Sequence, residues 1–295
     1  TGSSNALTLD GDEDMQPDYV AIKQRSSTQQ WNTYDDLRGV QKYLGWNTTG
    51  QEETQSQGLT AFGSDGFTVG TDDMVNKSSS TYVAYCWKES ATAGFDMVLY
   101  TGSGSAHTIS HSLSAVPSVV ILKGRSFGDG WGQYHKTSGN PAILAFDGDV
   151  ADRYSSKWGP FFNSTAPTSS VFSVGTDTAI NTSSGTHIAY LFAEKQGFSK
   201  FSNFVGNGNA DGTFVYTGFR PAMVIIKRSN ASVNWYIFDN KRDPFNVMSK
   251  ELNCNNNEAE ATELGSNPID FLSNGFKLRV ADSYINGTGD PYIYM

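Results

Sequence analysis

Two of the four histidines, His107 and His111, stand four residues apart. On a helix that spacing places both imidazoles on one face, as a zinc site needs. The surrounding SAHTISHSLS is Ser-rich and reads as strand or loop, so the pair is not expected to hold a metal. His135 and His187 stand alone. Asp10, Asp12 and Asp14 in DGDEDMQ resemble the opening of a calcium loop, but the glycine and glutamate that an EF-hand requires further on are missing. A solvated acidic segment accounts for them better. No G-x-S-x-G, zincin or catalytic-cysteine context occurs, and GSGSAH at Gly102 reads as a turn. Glycoside hydrolysis needs only two carboxylates and no local motif. Asp129, Asp147, Asp149 and Asp152 are the candidates, yet they do not recur along the chain as other residues do. The glycine runs GNGNADG and GDGWG carry no Lys-Ser/Thr and no following helix, so they are not phosphate cradles. No cofactor and no enzymatic activity are expected.

What does recur is a framework. Pro17, Pro117 and Pro221 are each followed six residues later by a lysine (Lys23, Lys123, Lys227) and fourteen later by a tryptophan (Trp31, Trp131, Trp235). An aromatic follows seventeen residues after each proline: Tyr34, Tyr134 and Phe238. Later phenylalanines (Phe67, Phe172, Phe276) and closing tyrosines (Tyr85, Tyr190, Tyr294) keep matched spacings. Internal triplication with a period of about 100 residues follows, the size of a β-sandwich domain. Runs such as YVAIKQR, VVILKGR and MVIIKRS, each followed by a polar turn and a Trp strand, read as β-hairpins. DDLRGVQKYL and KELNCNNNEAEATEL are the two stretches with room for a short helix. The expected fold is all-β: tandem antiparallel, jelly-roll-like β-sandwich modules at 17–93, 94–196 and 197–295 after a polar linker at 1–16. The first module is expected to lack the opening strand of the others (GFDMVLYTGSG, GFSKFSNFVGNG), and the third is expected to stop within its closing strand.

The Trp and the aromatic three residues after it differ in parity, so an ideal strand sends them to opposite faces. Either a bulge intervenes or one aromatic leaves the main core. The recurring lysines are expected to end a strand, lie over the tryptophan and keep the sheet edge soluble. Function is then sought where the copies differ. Trp46, Tyr154 and Trp158 stand in such segments among Asn, Ser and Thr, a composition suited to stacking on and hydrogen bonding to sugars.

The 295 residues carry a formal net charge of -9 and only 17% charged residues. That acidity excludes a role dominated by phosphate backbone or by an anionic membrane surface. No apolar run is long enough to span a membrane as a helix. Cys86 and Cys254 occupy non-equivalent places and make no disulfide scaffold; one is read as a buried thiol and the other as a loop thiol. Six N-x-S/T sequons, at Asn47, Asn76, Asn163, Asn181, Asn230 and Asn286, follow largely from an Asn-, Ser- and Thr-rich composition.

The phrases VYTGFRPAMVIIKR, NWYIFDNKRDPFN, IDFLSNGFKLR and THIAYLFAEKQGFSKFSNFVGNGNADG resemble modules of virion proteins of marine and cyanobacterial phages. The resemblance runs from Pro17 to Met295 and defines no catalytic residue. It implies a tail-fibre or surface-appendage component at the virion surface that attaches to a host glycan or envelope component. Fibres of this type imply a homotrimer and contacts with other virion proteins. The alternatives are a head or tail decoration subunit binding virion partners alone, marked by exposed apolar patches, and a polysaccharide depolymerase.

Overall fold

The structure is a computed structural model that describes residues 2–139, 142–149, 153–154, 161–262 and 268–295. The first module contains β1 (Asn5–Thr8), β2 (Tyr19–Gln24), β3 (Asn32–Asp35), β4 (Lys42–Tyr43), β5 (Glu53–Thr54), β6 (Leu59–Gly63), β7 (Gly66–Val69), helix α1 (Asp73–Asn76) and β8 (Tyr82–Trp87). The second contains β9 (Phe95–Thr101), β10 (His107–Ser110), β11 (Val119–Gly124), β12 (Gly132–His135), β13 (Ala142–Ala145), β14 (Arg153–Tyr154), β15 (Val171–Val174), helix α2 (Thr178–Asn181) and β16 (Thr186–Phe192). The third contains β17 (Ser202–Val205), β18 (Phe214–Tyr216), β19 (Met223–Arg228), β20 (Tyr236–Asp239), β21 (Leu252–Asn253), β22 (Ile269–Leu272), β23 (Gly275–Leu278) and β24 (Pro291–Tyr294).

The protein is all-β, built from antiparallel sheets. Each module packs a main sheet on a small one. The main sheets run β3-β2-β8, β14-β13-β12-β11-β16-β9 and β17-β24-β19-β20-β21; the small ones run β1-β7-β6, β10-β15 and β18-β23-β22. The hairpin register is the same in all three: Val20 faces Tyr34, Val120 faces Tyr134 and Val224 faces Phe238.

The strand after each proline is buried along almost all of its length because both of its faces are covered. Val20, Ile22 and Tyr34 pack into the first module's own core with Phe67, as Val120, Leu122 and Tyr134 do in the second with Phe172. Tyr19, Ala21, Val119, Ile121 and Ile225 face the other way, into a second core shared by all three modules. Trp31, Trp131 and Trp235 lie in that shared core. The opposite parity of the two aromatics therefore needs no bulge: one serves the module and the other serves the assembly.

The modules close on one another in a cycle. Trp31 Nε1 donates to Asn253 O of the third module at 2.8 Å, Trp131 Nε1 to Gly45 O of the first at 2.8 Å, and Trp235 Nε1 to Ala145 O of the second at 3.1 Å. Arg25 pairs with Glu260 and Arg125 with Glu52 in the same sense around the ring, both at 2.8 Å. The peptide N–H groups of those glutamates donate back to the carbonyls of Arg25 and Arg125. The modules form a closed ring, not the extended rod that a tandem array suggests.

Several details differ from the sequence reading. The segment 1–16 is not wholly linker, because Asn5–Thr8 pairs with Gly66–Val69 as β1. Gly66 permits this with φ +124°: a Cβ there would lie 1.9 Å from Leu7 O. DDLRGVQKYL forms a turn and β4, and the described part of KELNCNNNEAEATEL forms β21 and turns; the short helices are α1 and α2, capped by Asp72 and Asp177. Tyr294 is one residue out of step with Tyr85 and Tyr190. Tyr85 faces Ala21 and Tyr190 faces Ile121, whereas Ile225 exchanges both backbone bonds with Met295.

Three of the sequon asparagines are framework. Asn181 is fully buried; its amide donates to the carbonyls of Ser105 and Gly175 and accepts from Ser103 N–H. Asn76 and Asn286 make the corresponding bonds to Gly70 O and Val280 O. Replacing Asn181 by Ala is expected to cost about 3 kcal/mol in urea unfolding by stranding these groups. Asn230→Ala, at an exposed sequon, should stay within about 0.5 kcal/mol. Trp131→Phe keeps most of the packing and removes the indole bond to Gly45 O, for an expected loss of about 1–3 kcal/mol. Because the tryptophans tie the modules together, that loss should lower one transition for the whole chain.

Candidate functional site

The recurring lysines are not edge solubilisers. Lys23, Lys123 and Lys227 are all fully buried, because each main sheet is covered on both faces. Lys23 Nζ donates to Gln24 O at 2.7 Å, and Lys227 Nζ to Arg228 O at 2.6 Å and Ala231 O at 2.9 Å, closing the hairpin turn. Lys123 Nζ caps Asp129 O in its own turn and reaches Thr49 O of the first module at 3.1 Å. It also lies 5.9 Å from the Trp131 ring centroid. Burial pulls the Lys23 and Lys123 ammonium groups down to about 8.

Trp46 is a core residue, only 4% exposed, and cannot present a face to a sugar. Its ring packs 4.9 Å from Trp31 and 5.3 Å from Phe146, and its Nε1 donates to Tyr19 OH. The reason is positional. Asn47, Asp147 and Asn255 each accept the N–H of a framework tryptophan, so Trp46, Phe146 and Cys254 just before them are equivalent and fill the shared core. Tyr154 lies in β14 opposite Ala142, with its side chain outside the described residues, as is all of Trp158.

Several acid–base candidates are spent on structure, whereas Asp149 stands exposed. His107 lies on a strand and meets Ser103 Oγ and Ser105 O; His111 Nε2 meets Thr168 O. Among the described residues no three His, Cys, Asp or Glu side chains converge on a metal-sized site. Asp147 serves Trp131 N–H, Asp10 pairs with Lys241 at 2.6 Å, and Asp152 lies outside the described residues. Cys254 is fully buried and its thiol pushed well up; half-buried Cys86 is raised to about 12, so burial leaves both thiols unreactive.

A cleft of about 620 Å³ opens where all three modules meet. Its walls are β8 from Val83 onward, Tyr19, Phe95 and Phe192 on one side and Pro221, Met223, Ile225 and Met295 on the other. Leu9–Met15 forms part of the rim, tethered by the Asp10–Lys241 pair, and Phe198 stands at the surface 66% exposed. Asp239 reaches the cleft but is taken up by Tyr85 OH at 2.7 Å and by Arg242. The cleft holds apolar surface and no free nucleophile–base pair, which suits binding and not bond-breaking. Sequence reasoning missed it, because its walls are brought together only by the packing of all three modules.

The whole chain, residues 1–295, matches the profile of a family described as a domain of unknown function, DUF7483. The chain belongs to that family. No curated protein sequence and no solved structure matches it.

The ring junctions differ in one respect that reaches into titration. Tyr190 OH donates to Asp35 at 2.7 Å, repeating Tyr85 and Asp239, and Arg38 and Arg242 pair with the two aspartates. At the third junction the same places hold Met295, His135 and Ser138. Burial draws His135 down to about 4, and His187, stacked on Tyr100 at 4.8 Å, likewise to about 4. Both stay neutral in the native state while the unfolded chain takes up protons below 6.5, so their contribution falls as pH drops from 6.5 towards 4. Glu89, raised to about 7 by burial and Asp96, acts in the opposite sense. His135→Asn is therefore expected to flatten the fall of melting temperature across that window relative to the parent chain, where Glu89 is common to both. An unchanged slope would show that His135 is not a source of the acid sensitivity.

Proposed function

We propose that the chain is a non-catalytic structural component of a phage particle, part of a tail fibre or other surface appendage, that works by binding. The observation that carries the reading is the character of the exposed surface. The cleft is apolar, and Val205, Phe214 and Tyr216 lie on neighbouring edge strands with exposures of 57%, 45% and 65%. Apolar exposed patches of this kind fit protein partners, which favours assembly with other virion proteins over glycan recognition. Attachment to a host glycan is the second reading. Tyr284, half exposed beside Asp282 and Ser283 and stacked on Tyr236 at 6.2 Å, is the feature that favours it. A depolymerase finds little support, since Asp147 and Asp239 are engaged in structural bonds. A homotrimer would be an assembly of closed rings, since the modules already satisfy one another within one chain.

The test is incubation of the chain with a panel of bacterial cells and their extracted polysaccharides, reading bound protein and newly released reducing ends together. Assembly with virion partners expects neither binding nor release. Saturable binding that Tyr284→Ala weakens at least tenfold, without release, would move the assignment to host attachment. Release of reducing ends would overturn both.

A further inference from the structure

Successive modules are joined by two linkers of the same build. After β8 the chain turns between Ser90 and Phe95 into β9, and after β16 it turns between Lys195 and Ser199 towards β17; each pair closes a backbone bridge. A glutamate stands just before each turn. Glu89 and Glu194 lie four residues past the equivalent tyrosines Tyr85 and Tyr190.

The two glutamates meet opposite company. Glu194 pairs with Lys136 at 2.6 Å and with Lys200 at 3.4 Å, and it accepts the Phe201 N–H at 3.0 Å. Burial opposes its charge, but the Lys136 bond outweighs burial and holds the carboxyl below its usual range. In the first joint the places of both lysines hold aspartates. Asp36 follows Tyr34 by two residues, as Lys136 follows Tyr134. Asp96 directly precedes Met97, as Lys200 precedes Phe201, and both of these apolar side chains enter the shared core. The register agrees: Met97 faces Tyr190, and one step back from the Ser202–Tyr294 pair places Phe201 opposite Met295. A Lys–Glu–Lys set has become Asp–Glu–Asp.

No cation replaces the lost lysines. Among the described residues Asp18, Asp36, Glu89 and Asp96 form no ion pair, Lys88 is exposed, and Arg38 is taken by Asp35 and Glu52. Asp18 Oδ2 accepts the Glu89 N–H at 2.6 Å, and Asp36 N–H donates to Asp18 O. Asp96 is only 2% exposed and takes Ser112 N–H at 2.6 Å, Ser112 Oγ at 2.9 Å and Met97 N–H at 3.1 Å. The Glu89 carboxyl lies in hydrogen-bond contact with the Asp96 carboxyl. Two carboxyl groups in contact cannot both be ionised, so the contact itself requires a proton between them. With three donors already aimed at Asp96, Glu89 is the member that holds the proton and donates.

We propose that the joint between the first and second modules is a proton-operated latch. The proton shared by Glu89 and Asp96 pins the linker to the start of β9. When it leaves for solvent, the Glu89 carboxylate is repelled by Asp96 and Asp36 and swings outward, freeing the turn from Ser90 to Phe95. The joint between the second and third modules, held by two lysines, stays closed over the same range. Burial and the Asp96 contact raise the Glu89 carboxyl from 4.5 to about 7. The latch is therefore fully closed below 4.5 and opens as pH rises through 7. This rests on the comparison of the two joints and does not depend on the virion assignment.

The test is amide hydrogen exchange of the full chain at pH 6 and pH 8.5, corrected for intrinsic rates, with the Glu89 carboxyl carbon followed by NMR. A midpoint near 7 is expected. Protection of the Glu89 and Phe95 amides should fall about tenfold at pH 8.5, while Lys195 and Ser199 keep theirs. Glu89→Gln keeps a donor to Asp96 without the charge, so it should retain at pH 8.5 the protection the parent shows at pH 6. Asp36→Lys, at an exposed position, supplies the cation of the second joint and should lower the midpoint and remove the loss. A midpoint near 4.5, or protection in the parent that does not change with pH, would overturn the proposal. So would an equal loss in Glu89→Gln or at Lys195 and Ser199, because the opening would then not be driven by this carboxyl pair.

Discussion

Three indole N–H groups each reach the carbonyl of a neighbouring module, and the architecture depends on that cycle. A buried indole nitrogen left without an acceptor is costly, and so is a buried carbonyl without a donor. Each tryptophan satisfies both conditions across a module boundary. The same side chains fill the shared core, so removing one takes away packing and hydrogen bonding together. Closure follows from the direction of donation: first to third, second to first, third to second. None of the three framework tryptophans is left exposed.

This constraint explains why residues at the junctions change in groups. A tyrosine hydroxyl buried against the next module needs an acceptor, and a buried aspartate needs a cation. Tyr190, Asp35 and Arg38 form such a set, and Tyr85, Asp239 and Arg242 form another. Where the tyrosine is replaced by Met295, the aspartate is His135 and the arginine Ser138, so no buried charge is left without its counterpart. The lysines pose a related problem. Each is sealed under a second layer, yet its ammonium group finds two backbone carbonyls, both in its own hairpin for Lys23 and Lys227, and one in its turn and one in the first module for Lys123.

The ring is uneven in the cover of its closing strands. β16 and β24 are each covered by a strand of their own module, and a cleft lined by all three modules lies beside β8. Motif searches for catalytic chemistry end largely in structural bonds: Asp147 and Asp239 hold backbone and side-chain donors, and His107 and His111 meet neighbouring oxygens.

The residues themselves determined the all-β class, the hairpins and the framework positions, because alternation, turn composition and spacing are local properties of the chain. Tertiary structure alone decided what those positions do. Burial depends on what covers a strand's second face, and no local pattern records that cover. Hence Trp46 became core instead of a binding platform, Lys23, Lys123 and Lys227 became buried turn clamps, and sequons at Asn76, Asn181 and Asn286 became internal hydrogen-bond hubs. Ring closure lies beyond the sequence for the same physical reason, since it is set by contacts between residues some ninety to two hundred positions apart.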